Sequence, residues 1–251
     1  MKPDGSAVLN EVAGWTLHQH IELASTNDSA RSLPAWHAVC ARRQHAGRGR
    51  EQRVWISDEG GLWLSLVVPT PGPAQDWQAL PLLAAVAVLR VLKSLGVDQA
   101  RLRWPNDILV GDRKLAGFLV ERFHPDRAVV GLGLNLFNHP EQVQPALAGL
   151  TLRLADLLPQ PPCREELLEK ILQEMRRVHS QVLSSGFAAW MGELEGVWQI
   201  NRSIRLILHG ENEPLEGYFL GVNEQGDLRI QEKSGELRTL SFSKVHLLTE
   251  H

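Results

Sequence analysis

The most constraining feature of this 251-residue chain is a run from about Pro81 to Leu95 that reads as a helix apolar nearly all round. A surface helix keeps a polar face toward water, whereas one without such a face must be enclosed on every side. The fold therefore has to supply layers around this helix, and the chain is long enough to build them. Gly96 follows where helices take a left-handed cap. The most apolar stretch, Ala79 to Leu92, is interrupted by Pro81 and Arg90 and is too short for a bilayer, so burial in protein is expected. The first 30 residues hold no basic segment leading into an apolar run, which predicts no secretory leader and a cytoplasmic location.

Around that helix the pattern alternates between strands and turns. Trp36 to Arg42 and Leu62 to Pro69 read as strands, the second with Trp63, Ser65 and Val67 alternating against Leu62, Leu64 and Leu66. Arg101 to Trp104, Lys114 to Arg122 and Arg127 to Leu136 follow, separated by the turn signals Pro105-Asn106-Asp107, Gly111-Asp112 and Pro125-Asp126. A second helix is predicted from about Arg164 to Leu183: Leu167, Leu168, Ile171, Leu172, Met175, Val178 and Val182 recur at helical spacing, and Gly186 ends it. Past Asn201 the texture changes to short strands, Ser203–Leu208, Glu216–Val222, Leu228–Gln231 and Leu237–Phe242, with glycine-bearing turns between them. This predicts an α+β domain over residues 1–199 and a small all-β domain over residues 200–251.

Composition narrows the function. A net charge of −3, with 43% apolar and 22% charged residues, excludes a disordered or fibrous chain and argues against a dedicated nucleic-acid binder. Two cysteines, Cys40 and Cys163, cannot make a disulfide framework or a complete Cys-based zinc site, and both are expected to be small buried side chains.

Four segments carry chemistry. In Gln44-His45-Ala46-Gly47-Arg48-Gly49-Arg50-Glu51-Gln52-Arg53-Val54-Trp55, two glycines allow positive φ and close backbone approach, while the arginine forks suit phosphate or carboxylate oxygens. It is neither a Walker loop nor a dinucleotide fingerprint, and a solvated hairpin turn or an RNA-contacting patch also fits it. Arg103-Trp104-Pro105-Asn106-Asp107 leads, past Gly111, into Lys114-Leu115-Ala116-Gly117. There Lys114, at the mouth of an apolar strand, is placed either to meet an anion or to snorkel into solvent. In Gly131-Leu132-Gly133-Leu134-Asn135, alternate strand glycines leave room for a flat ring or for a closely packed helix. Ser25-Thr26-Asn27-Asp28 offers hydrogen-bonding groups, with Ser25 or Thr26 expected to cap a helix.

In this order, Ser-Thr-Asn, Gly-Arg-Gly-Arg…Trp, Trp-Pro-Asn-Asp…Lys-Leu-Ala-Gly and Gly-x-Gly-x-Asn-Leu resemble the biotin protein ligases (biotin–[acetyl-CoA-carboxylase] ligases). The resemblance spans nearly the whole chain, including Ile200-Asn201-Arg202 and the strands beyond, which look like the family's C-terminal SH3-like barrel. It implies a class II synthetase-like catalytic domain, a mixed β-sheet with packed helices, followed by that barrel. It also implies an enzyme that converts biotin and MgATP to biotinyl-5′-AMP and pyrophosphate, then biotinylates one lysine of a biotin carboxyl carrier domain. Such chemistry brings two anions together, so the site has to supply positive charge and aligned donors.

By resemblance, Arg48, Gly49 and Arg50 form a loop over the adenylate, with Arg50 near phosphate and carboxylate. Lys114 contacts the biotin carboxyl and the α-phosphate, which makes Lys114 and Arg50 the catalytic candidates. Ser25, Thr26 and Gln44, with Asn27 beside them, meet the ureido ring. Gly117, Gly131 and Gly133 floor the pocket, and Trp55 packs on the valeryl tail. Asn106 and Asp107 are associated with nucleotide and metal, and no residue is assigned as a direct metal ligand. The resemblance also allows a homodimer through the central sheet.

Two departures stand out. The family commonly has a glycine where Gln52 stands, and since glutamine resists positive φ a less mobile or differently folded loop tip is expected. No aromatic suited to adenine is evident in Phe137–Leu150. Bifunctional relatives carry an N-terminal DNA-binding fold of ~60 residues; here Ser25 arrives too early for one, which predicts a monofunctional ligase that binds neither DNA nor membrane.

The nearest alternative is a lipoate– or octanoate–protein ligase of the same superfamily, but lipoate has no ureido ring to explain Ser25, Thr26 and Gln44. An RNA-binding module using the five arginines between Arg42 and Arg53 lacks an aromatic platform. A pure interaction protein leaves Lys114 and the paired glycines unexplained.

Overall fold

In the strand Leu62–Pro69, side chains of both parities are buried, so cover is needed on both faces. The computed structural model, which describes residues 8–198, 200–211 and 213–250, supplies it. Eight strands form the first sheet: β1 Val8–Val12, β2 Trp15–Leu23, β3 His37–Gln44, β4 Leu62–Pro69, β5 Ala100–Arg103, β6 Asp107–Val110, β7 Arg113–Glu121 and β8 Arg127–Leu134. They lie in the order β1-β2-β3-β4-β8-β7-β6-β5, with β2 and β3 parallel and every other pair antiparallel. The expected mixed sheet is present.

Five helices accompany it among the described residues: α1 Thr26–Ala30, α2 Leu80–Ser94, α3 Pro140–Val143, α4 Arg164–Ser185 and α5 Met191–Gly196. Leu62, Leu64, Leu66 and Val68 join the large core with α2 and α4, while Val67 packs with Val39, Val129 and Ala30 of α1 on the opposite face. The sheet is thus sandwiched, with short α1 on the face that carries the site. α2 is enclosed as its composition requires, buried from Leu80 to Leu92 except at Pro81 and Arg90, and it closes on Gly96 at φ +90°. With the turn before it, the helical stretch Ala74–Ser94 reaches 21 residues, long and apolar enough to cross a membrane by length and composition. The run is therefore longer than the interrupted segment in the sequence suggests, but its apolar surface is spent on α4 and the sheet.

α4 buries the expected stripe and ends at Gly186, φ +71°. Trp36 is not in a strand: its φ of +67° breaks the extended chain, and β3 begins at His37. Asp107 opens β6 rather than closing a turn. Of the cysteines, Cys40 is buried and burial raises its thiol pKa to about 11, whereas Cys163, expected to be buried, is exposed as the residue preceding α4.

Past residue 200 an antiparallel sheet in the order β12-β11-β10-β9-β13 is built from β9 Ser203–Leu208, β10 Leu215–Val222, β11 Leu228–Glu232, β12 Leu237–Leu240 and β13 Val245–Glu250, consistent with the SH3-like module. The expected domain boundary falls at residue 199, which lies outside the described residues, as do residues 1–7. The apolar side chains of both sheets join in one contiguous core.

Candidate active site

Register builds the site floor. Across β6, β7, β8 and β4 the directly opposed residues are Asp107, Gly117, Gly133 and Trp63, and a second row sets Leu119, Gly131 and Ser65 in line. Opposed residues of antiparallel strands share a face. A bed of three glycines therefore lies between the Asp107 carboxylate and the polar group around α1.

Each glycine is there for a neighbour. A Cβ on Gly131 would stand 2.3 Å from Asn27 Oδ1, and one on Gly133 would stand 2.4 Å from the Trp55 indole. On Gly117 it would meet Lys114 Nζ at 3.1 Å and the Trp55 ring at 3.1 Å. Both sequence readings of the paired strand glycines are realised: Gly133 lies under a ring, that of Trp55, and Gly131 lets α1 pack closely through Asn27.

At one end of the bed, Ser25 caps α1 by accepting from the Asp28 N–H at 3.4 Å. Thr26 donates through its N–H (2.7 Å) and its hydroxyl (3.0 Å) to Gln44 Oε1. Gln44 Nε2 donates to Ser57 Oγ at 2.9 Å. Ser65 donates to Asn27 Oδ1 at 2.6 Å, and Asn27 Nδ2 donates to Glu121 at 2.7 Å. Buried polar groups carry little cost when their bonds are made, and this network holds its members in fixed orientation.

At the other end, Lys114 Nζ pairs with Asp107 Oδ1 at 2.6 Å and lies 4.9 Å from the centre of the Trp55 ring. Arg103 takes the second Asp107 oxygen at 2.7 Å. Burial pushes the Asp107 carboxyl up, but Lys114 and Arg103 outweigh it and hold the group below the ordinary aspartate value. Lys114 is thus turned inward, not snorkelling. The Asn106 side chain donates to the Phe118 carbonyl at 2.6 Å and fixes the turn before β6 against β7.

The arginine loop closes the side. Gly47 is a steric requirement: its Cβ would lie 2.4 Å from Ser57 Oγ and 2.6 Å from the Trp55 carbonyl. Gly49 has φ −103° and open space around it. The positive φ values expected at these glycines fall instead on Glu51 (+55°) and Gln52 (+56°), so Gln52 adopts the conformation it was expected to resist. Arg48 forks onto Asp28 at 2.5 and 2.6 Å, which lowers the Asp28 pKa. Arg50 points to the C-terminal module, donating to the carbonyls of Val245 (2.8 Å) and Phe242 (3.2 Å). Its burial lowers its pKa, though a guanidinium stays charged at any working pH.

One cavity of about 690 Å³ is lined by each residue that the resemblance assigns to the site, from Ser25, Thr26, Asn27 and Gln44 through Arg48, Gly49, Arg50 and Trp55 to Asn106, Asp107, Lys114, Gly117, Gly131 and Gly133. Sequence reasoning missed Ser57, Ser65 and Glu121, and did not assign Arg103 a place in the site. A lone serine in an otherwise apolar strand is a usable signal for Ser65; nothing local marks the others.

A sandwiched mixed sheet with a glycine bed, an inward lysine and an arginine loop defines the biotin/lipoate ligase class. The model of the biotin/lipoate A/B protein ligase family matches residues 16–135. The bifunctional ligase/repressor BirA of Bacillus subtilis is 31% identical over 239 residues, covering 90% of this chain and 72% of the relative. The biotin–[acetyl-CoA-carboxylase] ligase of Paracoccus denitrificans is 31% identical over 235 residues, covering 84% and 92%. In fold, the biotin protein ligase of Aquifex aeolicus solved in complex with biotin and ATP superposes with a TM-score of 0.81 at 24% identity, over 94% of this chain and 99% of that one. The chain belongs to the biotin protein ligase family.

Proposed function

We propose that this protein is an ATP-dependent biotin–protein ligase that forms biotinyl-5′-AMP, releases pyrophosphate, and passes biotin to a lysine of a biotin carboxyl carrier domain. The observation that carries this reading is the order of groups along the floor: hydrogen-bonding side chains at Asn27, Thr26 and Gln44, then the indole of Trp55 on glycine, then the Lys114 ammonium. Biotin presents the same sequence of needs, a ureido ring, an apolar tail and a carboxylate.

Ser25, Thr26, Asn27 and Gln44 hold the ring, and Gly117, Gly131, Gly133 and Trp55 enclose the tail. Lys114 orients the carboxylate and offsets charge as the carboxylate meets the α-phosphate, the largest obstacle when two anions react. Arg48, Gly49 and Arg50 belong to the loop that covers the adenylate, which requires Arg50 to leave the Val245 and Phe242 carbonyls. Asn106 and Asp107 lie toward the nucleotide. Both Asp107 oxygens are engaged by Lys114 and Arg103, so a Mg²⁺ brought with ATP, which would offset phosphate charge, would not have Asp107 as a direct ligand. The domain division at residues 199 and 200, a cytoplasmic location and a homodimer through the sheet, of which β1 is an end strand, belong to the same reading.

Pyrophosphate release measured with biotin and ATP, beside lipoate and ATP, tests it. Release should depend on biotin alone. Lys114→Ala should lower turnover by ~10²-fold or more, the scale of losing one preorganised charge-stabilising group. Turnover without biotin, or a lysine variant within a few-fold of wild type, rejects the reading.

A further inference from the structure

Glu51, at the tip of the arginine loop, meets two histidines of the C-terminal module. His209 follows β9 by one residue, and His246 sits in β13 where the β9–β13 register shifts between Val245 and Leu247. Such irregularities re-aim side chains, and here one brings the His246 ring to 5.2 Å from that of His209, centre to centre. Glu51 Oε1 lies 3.4 Å from His209 Nε2, and Oε2 lies 3.6 Å from His246 Nδ1. One ligand atom from each residue can be chosen so that all three lie within 4.8 Å of one another.

The two carboxylate–imidazole separations, 3.4 and 3.6 Å, are close to those of a known geometry, and all three donor atoms lie within 4.8 Å of one another. With metal–ligand bonds of about 2.0–2.1 Å at tetrahedral angles, neighbouring donor atoms stand about 3.3–3.4 Å apart. Two imidazoles and one carboxylate suit zinc and its neighbours, whereas Mg²⁺ and Ca²⁺ prefer oxygen alone. The residues come from three separated places in the chain and are partly open to solvent, which leaves a fourth position for water.

We propose that Glu51, His209 and His246 bind a zinc-class divalent cation, and that the bound ion fastens the tip of the arginine loop to the C-terminal module. The backbone is already set for it. Glu51 and Gln52 hold left-handed φ values that side chains disfavour, and Arg50 is anchored beside them on the Val245 and Phe242 carbonyls. Strained backbone persists where surrounding contacts over-determine it, and a metal bond at Glu51 adds one such contact.

The test uses the full chain, stripped with chelator and kept in excess Mg²⁺. Co²⁺ is titrated while its visible absorption is followed, Zn²⁺ is then used to displace it, and tryptic cleavage at Arg48, Arg50 and Arg53 is timed with and without Zn²⁺. Both readouts concern the ion and the loop and not turnover, so they are independent of the ligase reading. One equivalent of Co²⁺ should give the strong bands of a low-coordinate site, bleached by Zn²⁺, and Zn²⁺ should slow cleavage of the loop. His209→Asn and Glu51→Gln should each weaken binding by at least about tenfold, since even outer contacts to a metal cost that much. They should also make cleavage insensitive to Zn²⁺. Co²⁺ binding equally tight in both variants, or loop cleavage unchanged by Zn²⁺, overturns the proposal.

Discussion

Gly47 and Gly49 look alike in the sequence and differ in the fold. A methyl on Gly47 would collide with Ser57 Oγ and the Trp55 carbonyl, the second of which belongs to the backbone and cannot swing away. At Gly49 the nearest atom to such a methyl is 3.8 Å away and φ is −103°. Gly47→Ala should therefore cost about 1–3 kcal/mol by overpacking, and Gly49→Ala should stay within about 0.5 kcal/mol. Urea midpoints of the two variants decide it; equal losses would mean that the loop relaxes around Gly47. The residue scale is also where sequence reading has its limit. A Gly-Arg-Gly-Arg string declares that glycines matter but not which one is under steric pressure, because the colliding atoms belong to residues 55 and 57.

Among the elements, legibility followed periodicity. α4 was readable because eight of its residues face the core at helical spacing, and α2 because a nearly unbroken apolar run, eleven of whose residues are buried, ends at Gly96. β4 and β8 were readable from apolar runs bounded by turns. β2 was not, since His18, Gln19 and His20 break its apolar pattern, and β13 was hidden by its irregular register. The site followed the same rule: Lys114 and the glycines lie in strands that could be read, while Glu121 and Ser57 joined it only through sheet pairing and loop closure.

α4 carries one further consequence. His179 Nε2–H donates to the Pro69 carbonyl at 2.7 Å and the ring is enclosed by Trp77 and Trp36, with Arg176 nearby. Burial lowers its pKa, the Pro69 contact opposes and Arg176 adds to the fall. As pH drops below about 6.5 the unfolded chain takes up this proton before the folded one does, so stability is full above that pH and declines below it. His179→Gln removes the titration and keeps a donor for Pro69. Its melting temperature should fall less than that of wild type between about pH 7.5 and 5.5; parallel curves would assign the acid sensitivity elsewhere.

For the whole molecule the question is whether the C-terminal module is an appendage. Its joint argues otherwise. Trp104 donates to the Gly226 carbonyl at 3.0 Å and packs on Phe242 at 5.0 Å. Buried Arg101 pairs with Glu250 of β13 at 2.7 Å. His246, Leu247 and Leu248 line the same cavity as Lys114, so the module is one wall of the site. Gly226 lies close against the first domain: at φ +85° a Cβ would stand 2.9 Å from Ala79 Cβ at the start of α2. Gly226→Ala should cost about 1–2 kcal/mol for the left-handed backbone and about 1–3 kcal/mol for the collision. If the shared core makes the halves one cooperative unit, calorimetry should give a single transition moved to lower temperature. A low-temperature transition splitting off from an unmoved main one would instead establish that the C-terminal module melts alone.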